Sequence, residues 1–145
     1  MKPAFGEKLT NINYVRRKSA YVIILSSHED CVLTVHNGKG YHFLPGGGIE
    51  RNETDKECIM REMLEETGYT AALGQFIGNA LNYFVSSKQE YILNDGNFYI
   101  VELGKKVQEP TELDHQLAWV RLEDLQDLMF YAHQVWAVNK AIRGQ

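Results

Sequence analysis

The feature that most constrains this chain is a run of glycines followed closely by a helix with signals at both ends. Residues 46–48 are all glycine, which lets the backbone bend sharply and approach a ligand. Thr54 and Glu57 have the spacing of a capping box, in which each side chain bonds to the backbone of the other residue. Gly68 suits the left-handed residue that follows a helix end. These signals predict a helix over about residues 54–67.

The predicted helix has an acidic side and an apolar side. At about 100° per residue, positions three and four apart are neighbours, so Glu62, Glu65 and Glu66 lie together. Arg61 lies between Glu57 and Glu65 and is expected to bridge to both, which would hold the carboxylates in fixed rotamers. The apolar side is expected to pack on a sheet and consists of Ile59, Met60, Met63 and Leu64.

Glutamates this close together repel one another, at a cost of roughly 0.2–0.5 kcal/mol for each pair on an isolated helix. A divalent cation would relieve the repulsion, because Mg²⁺ takes carboxylate oxygens and completes its shell with waters and substrate phosphates. A glycine-rich turn can also present N–H groups to anions. The alternative is a solvated acidic face, which is the commoner explanation of a glutamate cluster. The cluster alone leaves both interpretations open.

The rest of the chain predicts one α/β domain over residues 1–145. The length is that of a single domain, and 44% apolar and 23% charged residues are typical of a globular protein. Residues Asn94, Asp95 and Gly96 are predicted as a turn between two strands. The mixed order of elements favours helices packed on a mixed sheet over an all-parallel fold. Strands are predicted at 20–27, 31–35, 41–44, 75–85, 97–103 and 117–120, and later helices at 122–128 and 132–142.

Composition and charge disfavour several classes of function. The longest apolar run of interest, Ala20–Leu25, is far shorter than the roughly 20 residues of a membrane-spanning helix, and the start lacks a secretory h-region. Cys31 and Cys58 form no CxxC pair, so a reducing, cytoplasmic location is expected. A net charge of −4 argues against stable nucleic-acid binding. The basic cluster at 16–18 is either solvated or a phosphate contact.

The stretch from Gly47 to Tyr69 has a spacing that is specific to one family. The matching positions are Gly47, Glu53, Arg61, Glu62, Met63, Glu65, Glu66 and Gly68. They reproduce the Nudix box over 23 residues, and Tyr69 departs mildly because an aliphatic residue is usual there. Residues 44–47 and 117–125 are also similar to this family. The chain therefore resembles a whole Nudix domain.

The resemblance implies a fold and an activity. The implied fold is a Nudix-type α/β/α sandwich with a mixed β-sheet and helices on both faces. The implied activity is hydrolysis of a pyrophosphate bond in a nucleoside diphosphate linked to another group, with Mg²⁺ or Mn²⁺ as cofactor. A MutT-like nucleoside triphosphate pyrophosphatase is the least contradicted activity. The expected partner is a small nucleotide, and a homodimer is compatible with the sequence.

Other activities stay open at this point. The alternatives are hydrolysis of ADP-ribose, dinucleoside polyphosphates or RNA 5′ ends, and a non-catalytic sensor that binds a nucleotide. A sensor would be expected to lose box carboxylates, whereas every charged box position is filled here. An enzyme that acts on RNA is expected to have a basic groove, and this acidic chain has few clustered basic residues to form one.

The resemblance also assigns expected roles within the box. Glu62, Glu65 and Glu66 would be the metal ligands, and one of them, or a glutamate on a later loop, would serve as general base. Arg61 would orient these carboxylates. Glu53 would support the site or touch a metal through water.

Further expected site residues lie at the edges of the box and beyond it. Gly46, Gly47 and Gly48 would shape the turn that binds phosphate. Glu112 is the best candidate for an additional metal ligand on a later loop. Tyr83 is the named candidate for stacking a base, within an aromatic set that also includes Phe84, Tyr91, Phe98 and Tyr99.

Four other polar residues are expected to play smaller parts. Glu102 is a second candidate for the later carboxylate, but its position favours an exposed strand residue instead. Gln116 stands where some relatives place a glutamate, which puts a base at that position in doubt. His42 and His115 flank the site, and both are expected to be structural or surface histidines because neither has metal-ligand spacing to another histidine.

Overall fold

The computed structural model describes residues 2–112 and 115–144 and shows two β-sheets and three α-helices in these residues. The helices are α1 (Asp55–Glu66), α2 (Leu125–Leu128) and α3 (Ala132–Arg143), and a 3₁₀ turn at Leu122–Asp124 precedes α2. The strands are β1 (Ala4–Phe5), β2 (Val15–Ile23), β3 (Cys31–His36), β4 (His42–Phe43), β5 (Gly46–Gly48), β6 (Tyr69–Val85), β7 (Tyr91–Lys106) and β8 (Gln116–Arg121).

The larger sheet is mixed, as the order of elements predicts. Its strands follow the order β1-β6-β7-β2-β5. Strands β2 and β7 are parallel, and so are β1 and β6, whereas β6 and β7 form an antiparallel hairpin. The smaller sheet is antiparallel, with the order β4-β3-β8. The prediction of an α/β fold with a mixed sheet is confirmed.

Strand β2 separates two cores because its side chains alternate between the two faces of the sheet. On one face, Ala20 and Val22 pack with Ile59 and Met63 of α1. On the other face, Tyr21 packs in a cluster that contains the apolar residues of α3. The helices therefore cover both faces of the larger sheet, and α1 is buried through the apolar side that its sequence predicts. Leu64, also assigned to that side, is only half-buried.

The predicted turn at residues 94–96 is wrong. These residues lie inside β7 and pair with β6, and the hairpin turns instead at residues 86–90, where the Ser86 N–H donates to the Glu90 carbonyl. Turn-forming side chains are tolerated in the buried strand because each finds a distant partner. The Asn94 amide donates to the Tyr21 hydroxyl at 2.7 Å, and Asp95 accepts from the Asn79 amide.

Two other segments are more ordered than their sequences suggest. The three glycines, which were predicted to form a turn, form strand β5, which pairs with β2 through Ser19, Ala20 and Tyr21. The basic cluster lies inside β2, and Arg16 forms an ion pair with the buried Asp95. The Arg16 guanidinium is therefore paired with a carboxylate of the neighbouring strand β7. Of the helices in the described residues, none is long and apolar enough to cross a membrane.

Candidate active site

Helix α1 begins and ends where its capping signals predict. The Thr54 hydroxyl accepts the Glu57 N–H at 3.1 Å, and the Glu57 carboxylate accepts the Thr54 N–H at 2.9 Å, so both bonds of the capping box form. Gly68 follows the helix with φ of +77° and donates its N–H to the carbonyls of Met63 and Leu64. The carboxylates of α1 are therefore presented from a helix with both ends defined.

Arg61 organises the acidic side of α1. Its Nε and Nη2 donate to the two oxygens of Glu53 at 2.6 and 3.0 Å, which is a bidentate pair. Its Nη1 lies 2.9 Å from Glu62 Oε1 and 3.2 Å from Glu65 Oε2. The predicted contact with Glu65 is thus confirmed. The predicted contact with Glu57 is not formed, because the Glu57 carboxylate is used in the capping box.

The three carboxylates beside Arg61 and Gly46 have different environments. The hydrogen bonds from Arg61 lower the pKa of Glu53 to about 2. Burial raises the pKa of Glu62 to about 7, although Arg61 opposes the shift. Burial also raises the pKa of Glu66 well above its usual range, against the opposing effect of the Gly46 N–H. Burial therefore makes Glu62, despite its contact with Arg61, and Glu66 costly to ionise without a bound metal ion.

Two of the three glycines are needed for close contacts. Gly46 has φ of +135° and its N–H donates to Glu66 Oε1 at 2.8 Å; a Cβ there would lie 2.2 Å from the Ala20 carbonyl oxygen. A Cβ on Gly47 would lie 2.9 Å from the carboxylate carbon of Glu62. A Cβ on Gly48 would meet open space, and this residue contributes its carbonyl, which accepts from Arg61 at 3.1 Å.

A later loop brings Glu112 to the acidic side of α1, as the sequence predicts. The N–H groups of Thr111 and Glu112 donate to the Glu65 carbonyl at 2.9 and 3.0 Å, so the loop is docked on the end of the helix. Ligand atoms of Glu62, Glu65 and Glu112 lie within 4.8 Å of one another. Glu102, in contrast, is an exposed residue of β7 and does not belong to this group of carboxylates.

These side chains fit a divalent cation. The carboxylates of Glu53, Glu62, Glu65, Glu66 and Glu112 lie near one another, and Arg61 pairs with the first three of them. Glu66 is only 6% exposed, and its bond to the Gly46 N–H compensates for little of the cost of burying a charge. The residues expected to hold a metal therefore lie close together, with a donor set of oxygens that suits a hard cation.

A cleft of about 210 Å³ opens beside Glu66. Its walls are mainly aromatic and aliphatic, and Gly46 and Gly47 form one edge. The lining residues are Tyr21, Val35, Phe43, Leu44, Gly46, Gly47, Glu66, His115 and Tyr131. None of these described lining residues is a lysine or an arginine.

Tyr83 lies outside this cleft. Its ring packs 4.9 Å from the ring of Tyr14, and the Lys8 ammonium lies 5.5 Å above it. That Tyr83 stacks a base remains a prediction, and its position outside the cleft does not support it. The aromatic residues beside the carboxylates are instead Tyr21, Phe43 and Tyr131. Phe43 was within reach of sequence reasoning, since it stands three residues before the first glycine of the turn.

The two histidines near the box have different roles. His42 is partly buried, and its Nδ1 lies 2.9 Å from the Thr34 hydroxyl, as expected for a structural residue. His115 lines the cleft and shares a second group of close ligand atoms with Glu66 and Glu112. The expectation of a structural or surface role for His115 overlooked this placement, and its sequence position, one residue before β8, carried no signal for it.

Comparison with known proteins gives a consistent result. The NUDIX domain family matches residues 15–138 of the chain. "Nudix hydrolase 4" of Arabidopsis thaliana is 26% identical over 138 residues, which is 94% of this chain and 59% of that protein. "Putative 8-oxo-dGTP diphosphatase" of Bacillus subtilis is 39% identical over 61 residues, 42% of this chain and 41% of that protein. The chain thus spans about half the length of these curated relatives.

The fold also matches solved structures. The solution structure of the E. coli ORF135 protein superposes with a TM-score of 0.67 and 17% identity, covering 90% of this chain and 91% of that one. At this identity the similarity concerns the fold alone. It agrees with the mixed sheet and the flanking helices described above.

Proposed function

The chain belongs to the Nudix family, and from that premise we propose that it hydrolyses a pyrophosphate bond in a nucleoside triphosphate or a related nucleotide, with Mg²⁺ or another divalent cation. The observation that carries this proposal is the position of Glu62, Glu65, Glu66 and Glu112 beside an aromatic cleft. The carboxylates suit a cation and phosphates, and the cleft suits a planar base.

The proposed chemistry assigns a task to each group of residues. Glu62, Glu65, Glu66 and Glu112 would hold the cation, and Arg61 keeps two of these carboxylates oriented. A cation bound by these carboxylates would neutralise phosphate charge and would lower the pKa of a water that attacks phosphorus. One of these glutamates would accept the proton of the attacking water as the bond to the leaving nucleotide or phosphate breaks.

The lack of lysine and arginine among the described lining residues of the cleft favours a nucleoside triphosphate over a substrate with phosphates at both ends. A second group of phosphates would be expected to meet arginine or lysine side chains. The described lining residues include neither, and the aromatic rings of Phe43 and Tyr131 in the lining support stacking of a base. The Bacillus subtilis relative, whose name refers to a modified guanine nucleotide, supports the same substrate class.

The test is a hydrolysis screen with Mg²⁺ or Mn²⁺ against nucleoside triphosphates, ADP-ribose, nucleotide sugars, dinucleoside polyphosphates and 5′-triphosphate RNA. We expect cleavage of a nucleoside triphosphate that is lost in Glu66→Gln and kept in Glu102→Gln, a matched change on an exposed strand residue. Absence of cleavage across the panel would overturn the proposal. Nucleotide binding without cleavage would indicate a sensor instead.

A further inference from the structure

His115 lies beside the acidic cluster although, unlike Glu112, it was not expected to take part in binding a metal. It lies beyond the loop that carries Glu112, and its side chain is 29% exposed. A ligand atom of His115 lies within 4.8 Å of ligand atoms of both Glu66 and Glu112. The imidazole therefore belongs to a second group of close donors, adjacent to the group formed by Glu62, Glu65 and Glu112.

The imidazole nitrogen that faces Glu112 is not used in a hydrogen bond. His115 Nδ1 lies 2.9 Å from Glu112 Oε2. The same Nδ1 atom is buried and has no hydrogen-bond partner among the described residues. The two atoms are thus close without the alignment of a donor and an acceptor. Two neighbouring ligands of one metal, each about 2.1 Å from it, would be about 3 Å apart, which is close to this separation.

Glu66 provides an independent reason to expect a cation at this position. Its carboxylate is 6% exposed, and one of its oxygens accepts the Gly46 N–H. In the described parts of the chain, no lysine or arginine forms an ion pair with it. A buried carboxylate without a cationic partner is strongly unfavourable. A cation held between Glu66, Glu112 and His115 would remove that cost and would use the free Nδ1 of His115.

We propose that Glu66, Glu112 and His115 form a mixed oxygen and nitrogen site that favours a transition-metal ion such as Mn²⁺ over Mg²⁺. Mg²⁺ prefers a shell of oxygen ligands, whereas imidazole is a common ligand of transition-metal ions. This inference rests on the proposed function only in placing a cation among the box carboxylates. It adds a ligand outside the box and a preference between metals.

The first experiment detects the nitrogen ligand directly. The purified protein is loaded with Mn²⁺, without substrate, and studied by electron spin-echo envelope modulation. We expect modulation from a directly coordinated nitrogen, which changes when the protein is produced with ¹⁵N-labelled histidine. The signal should be lost in His115→Gln and kept in His28→Gln, the same change on an exposed turn. Since the labelled wild-type protein already reports coordination, the test does not depend on the variant folding.

The second experiment measures selectivity. Calorimetric titration of wild-type protein and His115→Gln with Mn²⁺ and with Mg²⁺ should show Mn²⁺ affinity weakened about tenfold or more, and Mg²⁺ affinity changed much less. A wild-type spectrum without nitrogen modulation, or equal losses for both metals, would overturn the proposal and show that His115 only positions Glu112. Both readouts are independent of activity, so an inactive hydrolysis screen would leave this result standing.

Discussion

Gly47 and Glu62 are in direct contact across the edge of the cleft: a Cβ on Gly47 would lie 2.9 Å from the carboxylate carbon of Glu62. Glu62 is also held from the other side by Arg61, whose Nη1 lies 2.9 Å from Oε1. The carboxylate is therefore confined between the glycine turn and the guanidinium. A glycine at the start of the box is explained by this contact as well as by backbone freedom.

Gly47→Ala is expected to displace the Glu62 carboxylate, because a contact of this length forces the side chain or the strand to shift. Cation affinity, measured by calorimetry with Mn²⁺, should fall by about tenfold or more, by analogy with loss of groups that orient metal ligands. Gly48→Ala is the matched comparison, since its Cβ meets open space and its carbonyl is retained. Equal losses in the two variants would show that the Gly47–Glu62 contact is not what matters.

Arg61→Lys is expected to raise the pKa of Glu53 from about 2 towards its ordinary value, because lysine cannot reproduce the bidentate pair. The pKa of Glu53 can be followed by NMR titration of the side-chain carboxyl carbon. The same change at Arg51, an exposed residue on the preceding turn, serves as the control. If the Glu53 pKa stays near its wild-type value in Arg61→Lys, the guanidinium is not what lowers it.

Metal-free protein is expected to lose stability as the pH rises from about 4.5 to 7, through the carboxyl of Glu62. The folded-state pKa of Glu62, about 7, lies above its unfolded value of 4.5, so the folded protein binds this proton more tightly. The contribution of Glu62 to the free energy of unfolding is fully present below pH 4.5 and is lost as the pH rises through 7. It is on the order of 3 kcal/mol at most.

Urea denaturation in EDTA at pH 5 and pH 7.5 measures this loss. Glu62→Gln should show a smaller difference between the two pH values, and Glu66 supplies a shift in the same direction that persists in this variant. Adding Mn²⁺ at pH 7.5 should restore stability to the wild-type protein, since a cation favours the ionised carboxylates. A wild-type stability that rises over this range would contradict the assigned direction.

Phe43→Leu is expected to raise KM for a nucleoside triphosphate several-fold and to change kcat much less, because Phe43 lines the cleft and is not among the carboxylates. Steady-state kinetics with the substrate identified in the screen provide the measurement. Tyr83→Leu is the informative comparison, since Tyr83 packs on Tyr14 outside the cleft. A larger effect on KM from Tyr83→Leu than from Phe43→Leu would place the base at Tyr83 instead.

Local patterns predicted α1 well and predicted β7 poorly, for the same physical reason. The caps of α1, at Thr54 and Gly68, are contacts between residues a few positions apart. The segment 94–96 has the composition of a turn, and it becomes strand because Asn94 and Asp95 bond to residues more than ten positions away. No local pattern carries that information.

By itself, the sequence determined the helix, the spacing of its glutamates and the membership of the Nudix family, because those depend on neighbours along one helix and one turn. The tertiary structure decided which further residues join them. It docks the loop that carries Glu112, a candidate that the family resemblance had already named, on the Glu65 carbonyl, and it brings His115 and Tyr131 to the cleft from separate elements. Such contacts arise from packing of distant segments, and spacing along the chain does not encode them.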